Sequence, residues 1–230
     1  MAAGSAIVTT VRRGTRYTEA NRALAARTAK ELGIPNVLRG NDSIEELRKT
    51  YNVDAVLVAR QGLLTLVTTE GELFFHPGMA HLRMKNLLLG HGDHLVRALG
   101  LTEGMHVLDC TLGIGADAIV ESFAVGASGS VTALESNALI AAVIADGLAH
   151  AIGDNYDMHA AMRRIVVHHV DALTFLRATA DKGYDVIYFD PMFRRPLHES
   201  AGMNALRVLA DMRALTEETI AEARRVARCR

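Results

Sequence analysis

The sequence predicts an α/β protein: a parallel sheet with helices on both faces, preceded by a small α/β unit. In the second half of the chain, apolar segments of strand length alternate with segments of helical length, a pattern typical of parallel strands joined by right-handed crossovers. Acidic residues follow several of these strands, at the edge where open parallel sheets bind ligands. We therefore predict a small α/β domain at residues 1–90 and a larger ligand-binding domain at residues 91–230.

Residues 1–90 carry clear signals for helix ends and turns. Gly33 is placed to end the first helix, and Ser43 with Glu46 has the spacing of a capping box at the start of the second. Glu70-Gly71 predicts a tight turn between two strands. The predicted elements are a strand at 6–11, helices at 18–32 and 43–51, strands at 54–60, 63–69 and 72–75, and a helix that ends near Gly90.

Residues 91–230 are predicted to supply the main sheet. Four apolar segments are each followed by a stretch of helical length, and the last of them, VIYF, stops at Asp190 and Pro191. Because strands buried on both faces read as continuous apolar runs, these segments fit a parallel sheet covered by helices. The predicted strands lie at 106–110, 131–135, 165–170 and 184–190, and the predicted helices at 116–125, 137–151, 171–180 and 203–228, the last as one helix or two.

A glycine loop follows the first strand of this sheet, in VLDCTLGIGADA. Asp109 closes the strand, and Gly113 and Gly115 lie in the loop before the next helix. Glycine lets backbone N–H groups approach a ligand closely, and a helix N-terminus favours negative charge. The second strand ends at Glu135 and the third is followed by Asp171, so three carboxylates are expected at one edge of the sheet.

These three carboxylates suit S-adenosylmethionine (SAM), which offers an amine, a ribose and an adenine to Asp109, Glu135 and Asp171. A second interpretation stays open, because GIGADA satisfies the G-x-G-x-x-A dinucleotide fingerprint and Glu135 lies 20 residues after Gly115. That pattern predicts a nicotinamide-dependent oxidoreductase. The acid four residues before the first glycine would repel a pyrophosphate, which favours SAM. Taken alone, Glu135 or Asp171 is as often a helix cap as a ligand contact.

The fourth strand ends in the tetrapeptide Asp-Pro-Met-Phe at 190–193. Methylation of an exocyclic amine on a base requires acceptors around its N–H groups, and the Asp190 carboxylate with the Pro191 carbonyl would supply them. Phe193 is expected to stack on a base taken out of its normal stack. The predicted substrate-binding residues are Met192, Phe193, Arg194 and Arg195, the arginines through a flanking phosphate.

The sequence resembles the bacterial small-subunit ribosomal RNA guanine-N2 methyltransferase family. The resemblance is carried by FFHPGMAHLRMKNLL, VLDCTLGIGADA, LESNALIAAVIADGLA and YFDPMF, and spans roughly residues 74–215. It implies a class I methyltransferase fold, SAM as cofactor and a guanine amino group of ribosomal RNA as substrate. By position, the SAM contacts of the family fall on Ala116, Asp117, Glu135, Ser136, Asp171, Ala172 and Asp190.

This chain departs from the family pattern at several points. The family has an arginine where Ala116 stands, a small polar pair at Asp171 and Ala172, and Pro-His-Lys after the tetrapeptide where this chain has Arg-Arg-Pro. The family's sheet has seven strands, whereas this sequence stops where the fifth is expected. We therefore expect a truncated sheet in which the VIYF strand forms an aggregation-prone edge.

Composition narrows the class of protein further. Lys and Arg number 25 against 26 Asp and Glu, a balance that argues mildly against a general nucleic-acid binder, although residues 1–39 hold seven basic and two acidic side chains. Two cysteines, no signal-peptide pattern and no apolar run of membrane-spanning length predict a cytoplasmic protein. The histidines show no ligand spacing, so no metal is expected, and Cys110 is expected in the core.

Three functions remain open from the sequence. The leading hypothesis is a SAM-dependent methyltransferase acting on a base of RNA, with Asp190, Pro191 and Phe193 as catalytic residues. The second is a non-catalytic RNA- or ribosome-binding module that retains SAM, and the third is the nicotinamide-dependent oxidoreductase. The first two predict RNA, ribosomal in origin, as the partner, with neither a membrane nor a metal.

Overall fold

The computed structural model describes residues 6–12, 18–152, 156–190 and 214–228. By its contacts the chain forms two compact units. The first consists of the described residues of Met1–Phe75 together with Asn137–Ala151, and the second of those of His76–Ser136, Ile152–Arg194 and Asp211–Arg230. The units differ in membership from the predicted domains 1–90 and 91–230, and that division stays a prediction about independent folding.

Within the described residues the chain forms eight strands and nine helices. The strands are β1 (Ala6–Thr10), β2 (Ala55–Arg60), β3 (Leu63–Thr68), β4 (Gly71–Phe74), β5 (His106–Asp109), β6 (Ser130–Glu135), β7 (Ile165–His169) and β8 (Val186–Tyr188). The helices are α1 (Glu19–Leu32), α2 (Ile44–Tyr51), α3 (Ala80–Leu88), α4 (His94–Leu99), α5 (Ala116–Val125), α6 (Ala138–His150), α7 (Tyr156–Arg163), α8 (Ala172–Ala178) and α9 (Glu217–Val226).

The first unit contains a mixed sheet in the order β1-β2-β3-β4. β1 pairs in parallel with β2, whereas the β2–β3 and β3–β4 pairs are antiparallel. Gln61 and Gly62 join β2 to β3 with φ values of 55° and 78°, the left-handed conformation that a two-residue hairpin turn requires. The predicted turn at Glu70-Gly71 is confirmed, since Thr68 pairs with Gly71 across it.

The helices of the first unit begin and end at the predicted capping residues. The Ser43 hydroxyl accepts a hydrogen bond from the Glu46 N–H at 3.1 Å, and the Ser43 N–H donates to the Glu46 carboxylate at 2.6 Å. The predicted capping box of α2 is therefore present in full. Gly33 ends α1 with a φ of 65°, a conformation in which the absence of a Cβ removes a steric clash.

Helix α6 belongs to the first unit, although it follows β6 in the chain. Its Asp146 is buried and accepts hydrogen bonds from the Leu64 N–H of β3 at 2.9 Å and from Arg27 of α1 at 3.2 Å. The next residue, Gly147, lies directly against the Phe75 side chain, where an added Cβ would overlap with the ring. A buried polar anchor and a close helix contact therefore hold α6 in this unit.

Replacing Gly147 with alanine is expected to destabilise the protein by roughly 2 kcal/mol, because overpacking against Phe75 outweighs the gain in helix propensity of about 1 kcal/mol. Denaturant unfolding of the full chain measures the effect. Adding Phe75→Ala to the Gly147→Ala protein removes the overlap, so the two substitutions together should cost less than the sum of each alone. A Gly147→Ala protein as stable as the wild type would contradict this packing.

The second unit contains a sheet in the order β7-β6-β5-β8, in which every neighbouring pair is parallel. The predicted parallel sheet is thereby confirmed for the described residues. β8 is shorter than the predicted strand at 184–190: Tyr184 forms an isolated bridge with Ala227, and the Asp190 N–H donates to the Thr111 hydroxyl at 2.6 Å. The buried core cluster of this unit comprises Leu108, Cys110, Leu134, Leu176 and Val226, as predicted for Cys110.

The outer side of β8 is bordered by chain that follows α9. Tyr184 forms a parallel bridge with Ala227, and the Arg228 N–H donates to the Tyr184 carbonyl at 2.8 Å. Further along, Ile187 and Phe189 line a groove of about 880 Å³. The described residues contain four strands of this sheet, and the aggregation expected from the β8 edge stays a prediction.

Two short helices, α4 and α7, were not predicted. Asp93 caps the start of α4, accepting from the Leu95 N–H at 2.9 Å, and Gly100 ends it with a φ of 61°. Helices of six and eight residues depend on packing more than on propensity, so their sequence signal is weak. Residues 203–213 of the predicted last helix lie outside the described residues. In the part of the chain that the structure describes, every helix is too short or too polar to cross a membrane.

Candidate cofactor and active site

The candidate site lies at the carboxyl ends of the parallel strands in the second unit. β5 stands between β6 and β8, so the strand order reverses at β5 and leaves a crevice there, the position at which open α/β sheets bind ligands. Asp109 ends β5 opposite Tyr188 of β8 and Ala133 of β6. Glu135 ends β6, paired with His169 of β7. The predicted acids therefore stand along one edge of the sheet.

The loop from β5 to α5 has the backbone that its glycines allow. Gly113 and Gly115 have φ values of 52° and 79°, and Gly115 is the N-cap of α5. Most other residues avoid this left-handed region because their Cβ clashes with the backbone. Helix geometry leaves the N–H groups of Ala116 and Asp117 without an intrahelical acceptor, so the start of α5 presents donors next to Asp109.

Asp109 is a buried carboxyl group with one oxygen unused. The residue is 1% exposed, and its Oδ1 accepts a hydrogen bond from the Thr111 N–H at 2.9 Å. Its Oδ2 has no hydrogen-bond partner among the described residues. Burial, followed by the charges of Asp117 and Asp190, raises the pKa of Asp109 to about 7. An unpaired buried carboxyl of this kind fits an arriving amine or other cation, which would satisfy the oxygen and favour its ionised form.

Asp117 is held by two neighbours. Arg83 of α3 donates one bond to Asp117 Oδ1 and two bonds to Asp93, at 2.8 and 2.9 Å. The Tyr188 hydroxyl donates to Asp117 Oδ2 at 3.1 Å. Hydrogen bonds from Arg83 lower the pKa of Asp93. Both Asp117 oxygens are therefore engaged within the protein, and the SAM contact that the resemblance implies at Asp117 stays a prediction.

The acid that follows β7 acts as a helix cap. Asp171 is the N-cap of α8, and its Oδ1 accepts from the Thr174 N–H at 3.1 Å. Of the two interpretations left open by the sequence, capping is therefore present, and a ligand contact there stays a prediction, as it does for Ala172 beside it. Glu135 and Ser136 are half-buried at the end of β6, and the Glu135 carbonyl accepts from the Val170 N–H at 3.0 Å.

Asp190 follows β8 at the same edge of the sheet. It is exposed, its N–H donates to the Thr111 hydroxyl at 2.6 Å, and partial burial of its carboxyl and the charge of Asp117 raise its pKa. Thr111 thus links the tip of β5 to the tip of β8. The remaining predicted residues, Pro191, Met192, Phe193, Arg194 and Arg195, lie outside the described residues.

Four residues of this region were missed from the sequence: Arg83, Thr111, Glu121 and Tyr188. Arg83 and Tyr188 lie 34 and 71 residues from the Asp117 that they contact, and no local pattern reveals such a pairing. Glu121 carried a signal, since it is an acid within the apolar helix AIVESFAV. A charged residue on the buried face of a helix is uncommon enough to mark a candidate.

Among the described residues, no group of three or more His, Cys, Asp and Glu side chains is arranged to hold a metal ion. Cys110 is buried, and burial raises the pKa of its thiol, with a further increase from the charge of Asp109. A thiol of this kind is protonated near neutral pH and unreactive.

The parallel sheet, the glycine loop at the start of α5 and the acids at the strand ends define a class I SAM-dependent methyltransferase. Residues 45–230 match the family model described as "Putative SAM-dependent methyltransferase", and the chain belongs to this family. SAM is accordingly the cofactor. Family membership decides against the nicotinamide-dependent oxidoreductase that the G-x-G-x-x-A pattern had left open.

The chain is similar in sequence to several bacterial proteins. It is 40% identical over 204 residues to the protein YpiP of Bacillus subtilis, a match that covers 89% of this chain and 79% of that protein. It is 32% identical over 148 residues to the ribosomal RNA small subunit methyltransferase J of Legionella pneumophila, covering 64% of this chain and 58% of that protein. It is also 32% identical over 126 residues to the protein of the same name from Hahella chejuensis, a match that covers 54% of this chain and 45% of that protein. The resemblance to small-subunit ribosomal RNA methyltransferases is confirmed, and the matches span about half the length of these two relatives.

A solved structure shares the fold. The SAM-dependent methyltransferase NGO1261 of Neisseria gonorrhoeae superimposes with a TM-score of 0.61, over 96% of this chain and 81% of that chain. The two sequences are 19% identical, so this likeness concerns the fold alone. It agrees with the class I methyltransferase fold predicted from the sequence.

Proposed function

We propose that the protein transfers the methyl group of SAM to the exocyclic amine of a base in RNA, N2 of a guanine in small-subunit ribosomal RNA. The observation that carries the proposal is the position of Asp190. It follows β8, next to β5 and the unpaired carboxyl oxygen of Asp109, and its backbone is tied to the β5 tip through Thr111. One strand tip would hold the donor and its neighbour the acceptor, which brings the two reactants together.

The described residues fit SAM by their chemistry. The unpaired oxygen of Asp109 suits the amine of the cofactor, the glycine loop gives its backbone close access, and Glu135 suits the ribose hydroxyls. Asp171, or Ala172 beside it, would contact the adenine. When bound, SAM supplies a methyl group already activated by its positive sulfur, so the protein needs no covalent intermediate.

The substrate side of the proposal rests on the tetrapeptide Asp-Pro-Met-Phe. The Asp190 carboxylate and the Pro191 carbonyl would accept hydrogen bonds from the target amine and stabilise the positive charge that develops on its nitrogen. Phe193 would stack on the base, with Met192 beside it. Arg194 and Arg195 would hold a phosphate, so they would contribute affinity without reading the base.

Small-subunit ribosomal RNA from cells that lack this protein is the substrate that tests the proposal. Incubated with methyl-labelled SAM and the full chain, it is expected to take up label in N2-methylguanosine, found after digestion to nucleosides. The same RNA from cells that contain the protein is the control, because its target is already methylated. Absence of label from both RNAs, while SAM binds, would favour the non-catalytic RNA- or ribosome-binding module. An RNA substrate of this kind would also place the protein in the cytoplasm, which cell fractionation tests.

A further inference from the structure

Helix α5 begins at a glycine, so no side chain caps its first turn. Gly115 is the N-cap of α5, and a cap hydrogen bond from a side chain is absent at this described residue. Helix ends fray, and a Ser, Thr, Asp or Asn at the N-cap usually holds the first turn in place. The first turn of α5 presents the N–H groups of Ala116 and Asp117 beside the glycine loop. Its position therefore depends on contacts outside the helix.

The Asp117 side chain supplies such contacts. Its Oδ1 accepts a hydrogen bond from Arg83 of α3, and its Oδ2 accepts one from the Tyr188 hydroxyl at 3.1 Å. Tyr188 is the last residue of β8, and its neighbour on β5 is Asp109. One carboxylate thus joins the start of α5 to α3 and to the carboxyl end of the sheet.

Arg83 is itself held in a fixed orientation. Its Nε and Nη2 donate to the two carboxylate oxygens of Asp93 at 2.8 and 2.9 Å, and its Nη1 donates to Asp117. A paired contact of this kind between guanidinium and carboxylate fixes the geometry of both groups. Asp93 in turn is the N-cap of α4, and its side chain is 9% exposed. Arg83 therefore connects the starts of α4 and α5 through a planar fork that lysine cannot reproduce.

These contacts are partly shielded from water. The side chains of Arg83 and Asp117 are 23% and 30% exposed, so their ion pair is screened less than a fully exposed one. A binding site whose supporting contacts are fixed in advance loses less binding free energy to its own ordering. The bonds to Arg83 and Tyr188 are therefore suited to keep the first turn of α5 ready for a ligand.

We infer that Arg83 and Tyr188 are positioning residues for SAM: acting through Asp117, they hold the first turn of α5 where its backbone N–H groups meet the cofactor. The inference rests on the proposed SAM site at the glycine loop, and it concerns binding alone. Neither the guanidinium nor the phenol needs to touch SAM for this role.

The sign of the effect separates positioning from electrostatics at Arg83. SAM carries a net positive charge, because its amine and its sulfur are cationic and only its carboxylate is anionic. Removing the nearby positive charge of Arg83 would by electrostatics alone strengthen the binding of a cation. Loss of positioning weakens it, so the two roles predict opposite changes in affinity.

Isothermal titration calorimetry of SAM with the full chain tests the inference. Arg83→Gln is expected to weaken SAM binding about 10-fold, or about 1.4 kcal/mol, and Tyr188→Phe about threefold, or about 0.7 kcal/mol. Arg83→Lys keeps the charge but not the fork, so most of the loss should remain. Asp117→Ala removes the shared carboxylate. Adding either substitution to it should change the affinity less than about twofold, because effects that act through one group do not add.

Arg225→Gln is the matched control. Arg225 lies on α9 in the same unit, its side chain is 30% exposed, and it bonds the two acids Asp181 and Glu222 much as Arg83 bonds two acids. Thermal unfolding is expected to show lower stability in both arginine variants, whereas SAM affinity falls only in the Arg83 protein. A merely structural role would lower stability and leave the affinity of the folded protein unchanged.

Unchanged or higher SAM affinity in Arg83→Gln would overturn the inference, as would wild-type affinity in Arg83→Lys. Effects of Arg83→Gln and Asp117→Ala that simply add would show that Arg83 acts on SAM independently, which also contradicts it. If the Arg83 variants do not fold, Tyr188→Phe alone and combined with Asp117→Ala decides by the same criteria. A negative RNA methylation assay would leave the inference intact, because SAM binding requires no RNA.

Discussion

Replacing Asp109 with asparagine is expected to weaken SAM binding at least about 100-fold, on the order of 3 kcal/mol, and to stabilise the protein at pH 8. Binding suffers because the amide cannot supply the negative charge that we propose for the SAM amine. Stability rises because the buried carboxylate is removed. A folded-state pKa raised to about 7 means that the folded protein binds the proton more tightly than the unfolded chain, so stability falls as pH rises from about 4 to 7.

The gain in the free energy of unfolding is expected to be roughly 1–3 kcal/mol at pH 8, after allowance for the amide N–H that lacks a partner, and close to zero at pH 4. Denaturant unfolding at the two pH values measures it, with Asp157→Asn at an exposed acid of the same unit as the control. Loss of stability at pH 8 in the Asp109→Asn protein would show that the carboxylate has a favourable partner in the folded state. Unchanged SAM affinity would show that Asp109 does not contribute to cofactor binding.

Replacing Asp190 with alanine is expected to reduce methyl transfer by a factor of at least about 10³, while SAM affinity changes less than about fivefold. The reason for the difference is position. Asp190 lies at the tip of β8, with its N–H bonded to Thr111, whereas the buried Asp109 carboxyl belongs to β5. Because alanine keeps that backbone N–H, the loop can stay in place while the acceptor for the target amine is lost.

Single-turnover reactions with labelled SAM and undermethylated ribosomal RNA separate the two effects, since the transfer rate and the SAM affinity are measured on the same protein. Asp181→Ala, at an acid whose side chain is 75% exposed in the same unit, is the control. Asp190→Asn keeps a carbonyl acceptor and should retain part of the rate. Full turnover in the alanine variant would refute the proposed role of Asp190. A loss of SAM affinity as large as the loss of rate would show that Asp190 acts in cofactor binding instead of in the transfer step.

Much of the fold could be predicted from local sequence signals. The capping box at Ser43 and Glu46, the glycine that ends α1 and the turn before β4 are each written in a few neighbouring residues, and all three are present. The strands of the second unit were predictable because each is a short apolar run between turn signals. The short helices α4 and α7 were missed, since so few residues carry little propensity and depend on their neighbours.

The site likewise has features that the sequence predicts and features that only the structure reveals. Asp109, Glu135, Asp171 and Asp190 were predictable as a group because each directly follows an apolar run, and parallel strands bring such residues to one edge. Their individual states were not predictable. That Asp171 caps α8, and that both Asp117 oxygens are occupied, depends on groups such as Thr174, Arg83 and Tyr188.

The sequence by itself determined most of the elements, the parallel sheet and the strand ends that carry acids, because periodicity, capping and strand punctuation act between residues close in the chain. It favoured SAM as the cofactor, and family membership decided between SAM and the nicotinamide alternative. Only the tertiary structure decided which unit α6 joins, that Arg83 reaches Asp117, and that Glu121 and Asp109 are buried with carboxyl oxygens that lack a hydrogen-bond partner among the described residues. Burial and charge proximity depend on distances through space between residues far apart in the chain. The protonation states of the proposed site therefore depend on the tertiary structure and could not be predicted from the sequence.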